Sequence, residues 1–192
     1  MANKKRYTVA IDGSTSKTGV AIFQQMKDGT YKYVDHKLFE SEEAKYTSKK
    51  KGMTKTAYKQ IHSQEKREHM EKSVLFMMEH IEEILKKYNP DLVVMEDTYG
   101  QNDMMTLKML SRIQGNIIGW VRREGKEIVI KTPSKWRVDV GMPLRDANNK
   151  HLKREQFKEL SKGIVKQVFG LDVTDDEADA ICIGLSMTNM LK

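Results

Sequence analysis

Two apolar runs that lie far apart in the chain each end in an acidic residue. Residues 6–12 are rich in β-forming side chains and end at Asp12, and residues 91–96 form a short apolar run that ends at Glu96. Such continuous apolar runs are typical of buried strands. A carboxylate that is drawn from water costs free energy unless it is paired or bound to a metal. An acid placed directly after a buried strand therefore indicates a functional role.

The order of the predicted elements indicates a mixed sheet. Asp28-Gly29 is a hairpin signal, so the chain opens with three antiparallel strands joined by short turns. Helical and strand patterns then alternate, which is typical of a parallel half and gives an α/β class. The stretch 133–150 is basic and is expected to be irregular. The predicted strands are 6–12, 18–23, 31–39, 91–96 and 127–131, and the predicted helices are 65–88, 103–123, 151–169 and 175–190.

A second pair of acids opens the last predicted helix. Thr174 and Glu177 form a capping-box pattern, so the helix is expected to start there. Asp176 and Asp179 are three residues apart and share one helix face. The rest of the helix is small and apolar, so it should pack closely on the sheet and direct its acidic end toward the strand ends, where α/β sheets form sites.

Other roles for these acids remain open from the sequence. Asp175 and Glu177 fit capping and helix-dipole roles equally well, and Asp12 alone could shape the turn at Gly13. Four acids on three elements, Asp12, Glu96, Asp176 and Asp179, are harder to explain in that way. Clustered carboxylates repel one another unless a cation is present. Mg²⁺ prefers oxygen ligands, and two ions about 3.5–4 Å apart suit phosphodiester hydrolysis. We therefore expect these four acids to be catalytic and to bind two Mg²⁺ ions.

Three segments resemble the RuvC family of Holliday-junction resolvases. Residues 7–22 resemble its opening motif, 90–96 its second motif and 174–181 its C-terminal pair of acids. The resemblance implies a ribonuclease-H-like mixed five-stranded sheet flanked by helices. It also implies a homodimer that nicks four-way DNA junctions symmetrically with Mg²⁺ or Mn²⁺. The turn after Asp12 and the lysine-rich segment 44–64 depart from compact bacterial members, which favours a divergent, phage-type member.

Basic residues suggest where DNA would bind. The net charge is +7 and the pI is about 9.3, which favours polyanionic partners. Residues 44–64 contain six lysines and no acid, and we interpret them as a flexible or partly ordered surface segment. The family often has an aromatic residue at the position of Tyr99 that contacts junction bases, although a core tyrosine is the alternative. A plain solvated surface is the alternative for the basic residues. The expected DNA contacts are Tyr99, Lys131, Lys135, Arg137, Lys153, Arg154, Lys49, Lys50 and Lys51, with Lys135 and Lys153 nearest the scissile bond.

The remaining expectations concern organisation and rival functions. We expect one domain over 1–192, no membrane partner, no nucleotide cofactor and, from the lone Cys182, a reducing cytoplasm. Gly115 and Gly119 share a helix face and fit either a dimer contact or packing on the chain's own sheet. Rival functions are a ribonuclease-H-fold nuclease acting on RNA, RNA–DNA hybrid or flap DNA, an actin-like ATPase, and a non-catalytic junction-binding module.

Overall fold

A five-stranded mixed sheet forms the centre of the molecule, as predicted. The computed structural model describes residues 5–43, 45–46, 48, 51–98, 104–188 and 190–191. The strands lie in the order β3-β2-β1-β4-β5; β1 to β3 are antiparallel, and β4 and β5 run parallel to β1. The elements are β1 Arg6–Asp12, β2 Lys17–Gln25, β3 Tyr31–Glu40, α1 Lys55–Tyr88, β4 Leu92–Glu96, α2 Met104–Arg123, β5 Glu127–Lys131, α3 Pro133–Asp139, α4 Arg154–Phe169 and α5 Asp175–Leu185.

The sheet separates two hydrophobic cores. Successive side chains of a strand point to opposite faces, so Val9 and Ile11 pack with α1 and α2, whereas Ala10 packs with α3, α4 and α5. Cys182 is buried in the second core, so it is a core residue. Among the helices that the described residues form, none has the length and apolar character needed to span a membrane.

Helix α5 lies unusually close to β2. An added Cβ at Gly19 would stand 2.0 Å from the backbone oxygen of Asp176, and one at Gly184 would stand 2.1 Å from the Phe23 ring. Gly19 is also the register partner of Asp12 across β1 and β2. The absence of a side chain at Gly19 therefore brings the acidic start of α5 next to the end of β1.

Four predictions about the helices were wrong. Helix α4 begins at Arg154 rather than near residue 151. Helix α1 begins at Lys55 rather than near residue 65, because Thr54 caps it by accepting a 3.1 Å hydrogen bond from the Ala57 amide. Residues 55–64 of the segment expected to be flexible or partly ordered are therefore helical. The first turns of α1 carry polar residues on most sides, so no apolar periodicity marked them. Part of 133–150 is the helix α3, with Pro133 in its first turn. Helix α5 ends at Leu185 rather than near residue 190.

The two glycines of α2 do not serve packing on the chain's own sheet. Gly115 is exposed, and a Cβ there would meet no atom of the described residues within 4 Å. One at Gly119 would meet, among those residues, only the Arg123 guanidinium at 3.5 Å. Of the two roles expected for them, close approach to the sheet is therefore wrong, and a dimer contact stays a prediction.

We expect Gly19→Ala to lower the free energy of unfolding by about 1–3 kcal/mol, since its methyl group would overlap backbone atoms that cannot rotate away. The matched control is Gly115→Ala, which places a methyl group in open space inside a helix and should raise stability by about 0.5–1 kcal/mol. Denaturant unfolding of both variants provides the measurement. Equal stability of the Gly19 variant and the wild type would contradict the close approach of α5.

Candidate active site

Two of the predicted acids lie side by side at one edge of the sheet. Asp12 ends β1 and Glu96 ends β4. These strands are parallel neighbours with Ile11 opposite Met95, so the two carboxylates follow the same pair of residues in register. The carboxyl ends of parallel strands are where α/β sheets form sites.

Helix α5 brings the other two acids to the same place. Thr174 caps the helix, with its hydroxyl and the Glu177 carboxylate forming a capping box. Burial raises the pKa of Asp12 well above its usual value, and the charges of Glu96, Asp179 and Asp176 raise it further. All four predicted acids therefore lie within electrostatic reach of one another.

Burial is the main cause of the raised pKa at each of the other three acids. The pKa of Glu96 is also raised by Asp179, and that of Asp179 by Asp176. At Asp176 the neighbouring Asp175 charge adds to the effect of burial. Because each carboxylate disfavours ionisation of another, the cluster holds negative charge at a cost in stability.

Two buried side chains fix the orientation of these acids. The Trp136 indole of α3 donates a hydrogen bond of 2.5 Å from Nε1 to Oε2 of Glu96, and the Ser161 hydroxyl of α4 donates to Oδ1 of Asp179. Both donors have no exposed surface. Each hydrogen bond lowers the pKa of its acceptor and partly offsets burial. The carboxylates of Glu96 and Asp179 are thus each oriented by one buried hydrogen-bond donor.

The neighbouring acids Asp175 and Glu177 have structural partners, which settles the alternative left open by the sequence. Asp175 pairs with Lys158 at 2.7 Å and Lys162 at 3.3 Å, and these hydrogen-bonded lysines lower its pKa. Glu177 serves the capping box and lies 3.4 Å from Nε2 of His36. Both acids therefore have partners outside the four-acid cluster, and the Asp175 charge in addition raises the pKa of Asp176.

Arg137 is the basic residue most closely associated with the cluster. Its guanidinium carbon lies 4.2 Å from the centre of the Phe157 ring and 5.0 Å from that of Trp136. Its charge lowers the pKa values of Asp12, Glu96 and Asp179. Its Nε atom is buried without a hydrogen-bond partner among the described residues. A cation in contact with two aromatic rings thus lies close enough to the acids to lower their pKa values.

The other predicted DNA contacts have varied surroundings. Lys131 is only 11% exposed and binds Asp139 and Ser186, whereas Lys135 is 64% exposed and also pairs with Asp139. Lys153 and Arg154 are exposed at the start of α4, and Arg154 lowers the pKa values of Glu96 and Asp176. Lys51 is exposed in a turn. Tyr99, Lys49 and Lys50 lie outside the described residues.

The four acids are near one another without forming a closed set of ligands. Within the part of the chain that the structure describes, no three His, Cys, Asp or Glu side chains lie close enough together to hold a metal ion. The donors are nevertheless of the kind that hard cations prefer, namely four carboxylates. Their mutual repulsion is the property that a bound cation would relieve.

The sequence did not single out Trp136 or Ser161. Trp136 and Val140 are four residues apart after Thr132-Pro133, which is a helix-start signal in the stretch expected to be irregular. Ser161 shares a helix face with Phe157 and Val165. A small polar residue on an apolar face could have indicated a buried hydrogen bond.

We expect Asp12→Asn to raise the free energy of unfolding in chelator at neutral pH, because the amide removes a buried charge that lies near three other carboxylates. The folded-state pKa of Asp12 is raised, so its ionisation destabilises the fold as pH rises through that pKa. Asp175→Asn is the matched control. The pKa of Asp175 is lowered, so its loss should cost stability, by no more than about 1 kcal/mol. Denaturant unfolding provides the measurement. A change in the free energy of unfolding that had the same sign in both variants would contradict this assignment.

Comparison with known proteins adds sequence and fold relationships. No protein-family model matches the chain. Over 111 residues the chain is 30% identical to the crossover junction endodeoxyribonuclease RuvC of Dictyoglomus turgidum, an alignment that covers 58% of this chain and 66% of that protein. It is 25% identical to the RuvC of Dictyoglomus thermophilum over the same length. The chain thus spans slightly less than two thirds of the curated relatives that it matches.

Solved structures extend the likeness to nearly the whole chain. The T. thermophilus RuvC structure with a Holliday junction substrate superposes with a TM-score of 0.61 at 12% identity, covering 94% of this chain and 91% of that one. The fowlpox virus resolvase, solved with Holliday junction DNA, gives a TM-score of 0.54 at 16% identity, covering 94% and 95%. At these identities the structures establish the fold. In sequence and in fold, the chain is RuvC-like.

Proposed function

We propose that this chain is a metal-dependent, structure-selective endonuclease that resolves four-way and other branched DNA junctions by symmetric nicking. The observation that carries the proposal is the convergence of Asp12, Glu96, Asp176 and Asp179 from three elements on one sheet edge. The sequence relatives named above are junction endonucleases, which supports this substrate class over the RNA, hybrid and flap-DNA alternatives.

Magnesium is the cofactor that the donor set fits best, with Mn²⁺ as a substitute. The four carboxylates would hold two ions, and they would have to draw closer together to do so because they do not form a closed set. Two bound ions supply electrostatic stabilisation of the attacking and leaving oxygens in phosphodiester hydrolysis. No nucleotide cofactor is included in the proposal.

Other side chains of the site would orient the metal-binding carboxylates and the substrate. Trp136 donates a hydrogen bond to one oxygen of Glu96, and Ser161 donates one to one oxygen of Asp179. Removing a hydrogen-bond partner that orients a ligand residue typically lowers metal affinity or activity by about 10–100-fold. Arg137, in contact with Phe157 and close to the acids, would hold the scissile phosphate near the cluster.

The basic residues near the acids would position the DNA backbone. Arg154 and Lys158 influence the pKa of Asp176, so both lie where phosphates could approach. Lys135 and Lys153 complete the proposed surface, and Tyr99 stays a predicted base contact outside the described residues. Contacts of this kind would be salt-dependent and independent of sequence.

A two-fold symmetric substrate fits a symmetric pair of subunits, so we include a homodimer of one-domain chains in the proposal. Gly115 is open to a partner, since no atom of the described residues lies within 4 Å of a Cβ placed there. The buried, unpaired Cys182 is compatible with the reducing cytoplasm that we propose as its compartment.

We expect Asp12→Asn and Glu96→Gln to reduce cleavage of an immobile four-way junction by more than about 100-fold, since loss of a ligand should exceed loss of its supporting partner. Junction binding should remain. Mg²⁺ should raise the melting temperature of the wild type but not of these variants. Linear duplex and an RNA–DNA hybrid serve as substrate controls, and Asp175→Asn serves as the protein control. If the wild type cleaved the RNA–DNA hybrid in preference to the junction, the hybrid would be the substrate instead of the junction.

We expect Ser161→Ala to lower junction cleavage and apparent Mg²⁺ affinity by about 10–100-fold, because Asp179 loses the donor that orients it. The change is nearly isosteric and should cost about 1 kcal/mol of stability. Cleavage rates over a Mg²⁺ titration, with melting temperatures beside them, provide the measurement. Wild-type Mg²⁺ dependence in this variant would show that Ser161 only fills space.

A further inference from the structure

The first half of α1 extends beyond both hydrophobic cores. The helix runs from Lys55 to Tyr88, and Met70 is the first of its residues to be buried. Residues 55–69 span about 22 Å at 1.5 Å per residue. A helix of this length gains little stability alone, so its surface contacts matter.

One side of this extension is covered by aromatic rings. The Tyr46 ring centre lies 4.8 Å from that of His62 and 6.5 Å from that of His69. Tyr58 lies one turn before His62, with ring centres 5.7 Å apart. At 100° per residue these three helical residues share one side. The aromatic side is therefore occupied by the chain itself.

The opposite side is a continuous polar stripe that lines an open groove of about 760 Å³. Most of its side chains can donate hydrogen bonds, and none is apolar. Two acids, Glu68 and Glu71, line the C-terminal end of the groove. Glu68 accepts a hydrogen bond of 2.9 Å from Gln64, and Glu71 pairs with Arg67 at 3.4 Å and with Arg112 at 3.6 Å. The part of the groove without acids is therefore its N-terminal end. The polar stripe consists of Thr56, Lys59, Gln60, Ser63, Gln64 and Arg67.

The charge of the extension favours a polyanion over a second protein helix. Residues 55–69 contain four basic residues and two acids, and residues 44–54 before them add four lysines and no acid. Among the described residues, Lys55 and Lys59 form no ion pair. A helix–helix contact would need an apolar seam, which the polar stripe lacks. Lys, Arg, Ser, Thr and Gln are the residue types that contact DNA phosphates.

We propose that the polar stripe binds the phosphate backbone of one duplex arm of a branched DNA, apart from the acidic cluster. The inference rests on the proposed function for its substrate. The stripe spans about 16 Å from Thr56 to Arg67, close to five base steps of 3.4 Å. It adds affinity and holds the arm, and takes no part in bond cleavage.

The test compares two double variants of the same helix that remove equal charge. Lys59→Gln/Arg67→Gln neutralises the two basic residues of the stripe, and Lys86→Gln/Lys87→Gln neutralises two exposed lysines at the other end of α1. Fluorescence anisotropy in chelator measures binding to a four-way junction over a range of salt. The stripe variant should bind about tenfold more weakly, with a salt slope smaller by about 1.8. The control should match the wild type.

Arm length and subunit state distinguish the remaining explanations. On junctions with progressively shortened arms, the difference between stripe variant and wild type should disappear. At saturating protein and Mg²⁺, both double variants should cleave at the wild-type rate. Equal losses in the two double variants, or a changed oligomeric state of the stripe variant in light scattering, would overturn the inference. If the stripe variant bound the junction as tightly as the wild type, the inference would be overturned and the proposed function would stand. If the wild type did not cleave the junction, the proposed function alone would be refuted.

Discussion

The contact between Gly19 and the backbone of Asp176 determines the geometry of the proposed active site. Strand β2 and helix α5 meet with no side chain between them, and Gly19 is paired with Asp12. The end of one strand and the start of one helix are therefore held together by backbone contact. Small residues of α5, such as Ala178 and Ala180, continue this contact along the buried face. The acids follow from this packing because they occupy the ends of the elements that it joins.

Clustering four carboxylates works against stability, and the surroundings offset only part of this cost. Trp136 and Ser161 each satisfy one oxygen, and Arg137 adds a positive charge held on two rings. The pKa values of Asp12, Glu96, Asp176 and Asp179 nevertheless remain raised. Strain of this kind is typical of functional sites, where the local arrangement is kept for chemistry rather than for folding.

The sequence predicted the parts of the molecule that depend on local patterns. Apolar runs located the strands, and the capping box at Thr174 located α5, because these signals lie within a few residues. The resemblance of residues 174–181 to the RuvC motif favoured Asp176 and Asp179 over Asp175, whereas spacing alone could not, because residues three and four apart both share a helix face. The start of α1 at Lys55 could not be found because its polar residues carry no periodic signal. Trp136 and Ser161 were missed since their roles depend on acids distant in the chain, Glu96 and Asp179, which only the tertiary fold brings near.

The positions of the two tryptophans would allow the acidic cluster to be studied by intrinsic fluorescence. The chain has two tryptophans: Trp120 packs in the core formed with α1 and α2, and Trp136 packs in the core on the other face of the sheet. Only the Trp136 indole bonds a carboxylate of the acidic cluster. Replacing Trp120 with phenylalanine would leave Trp136 as the single tryptophan, which can be excited at wavelengths that the seven tyrosines do not absorb. Its emission is expected to respond to the charge on Glu96, because the indole donates to that carboxylate. Occupancy of the cluster could then be followed optically, in real time and without a label or a DNA substrate.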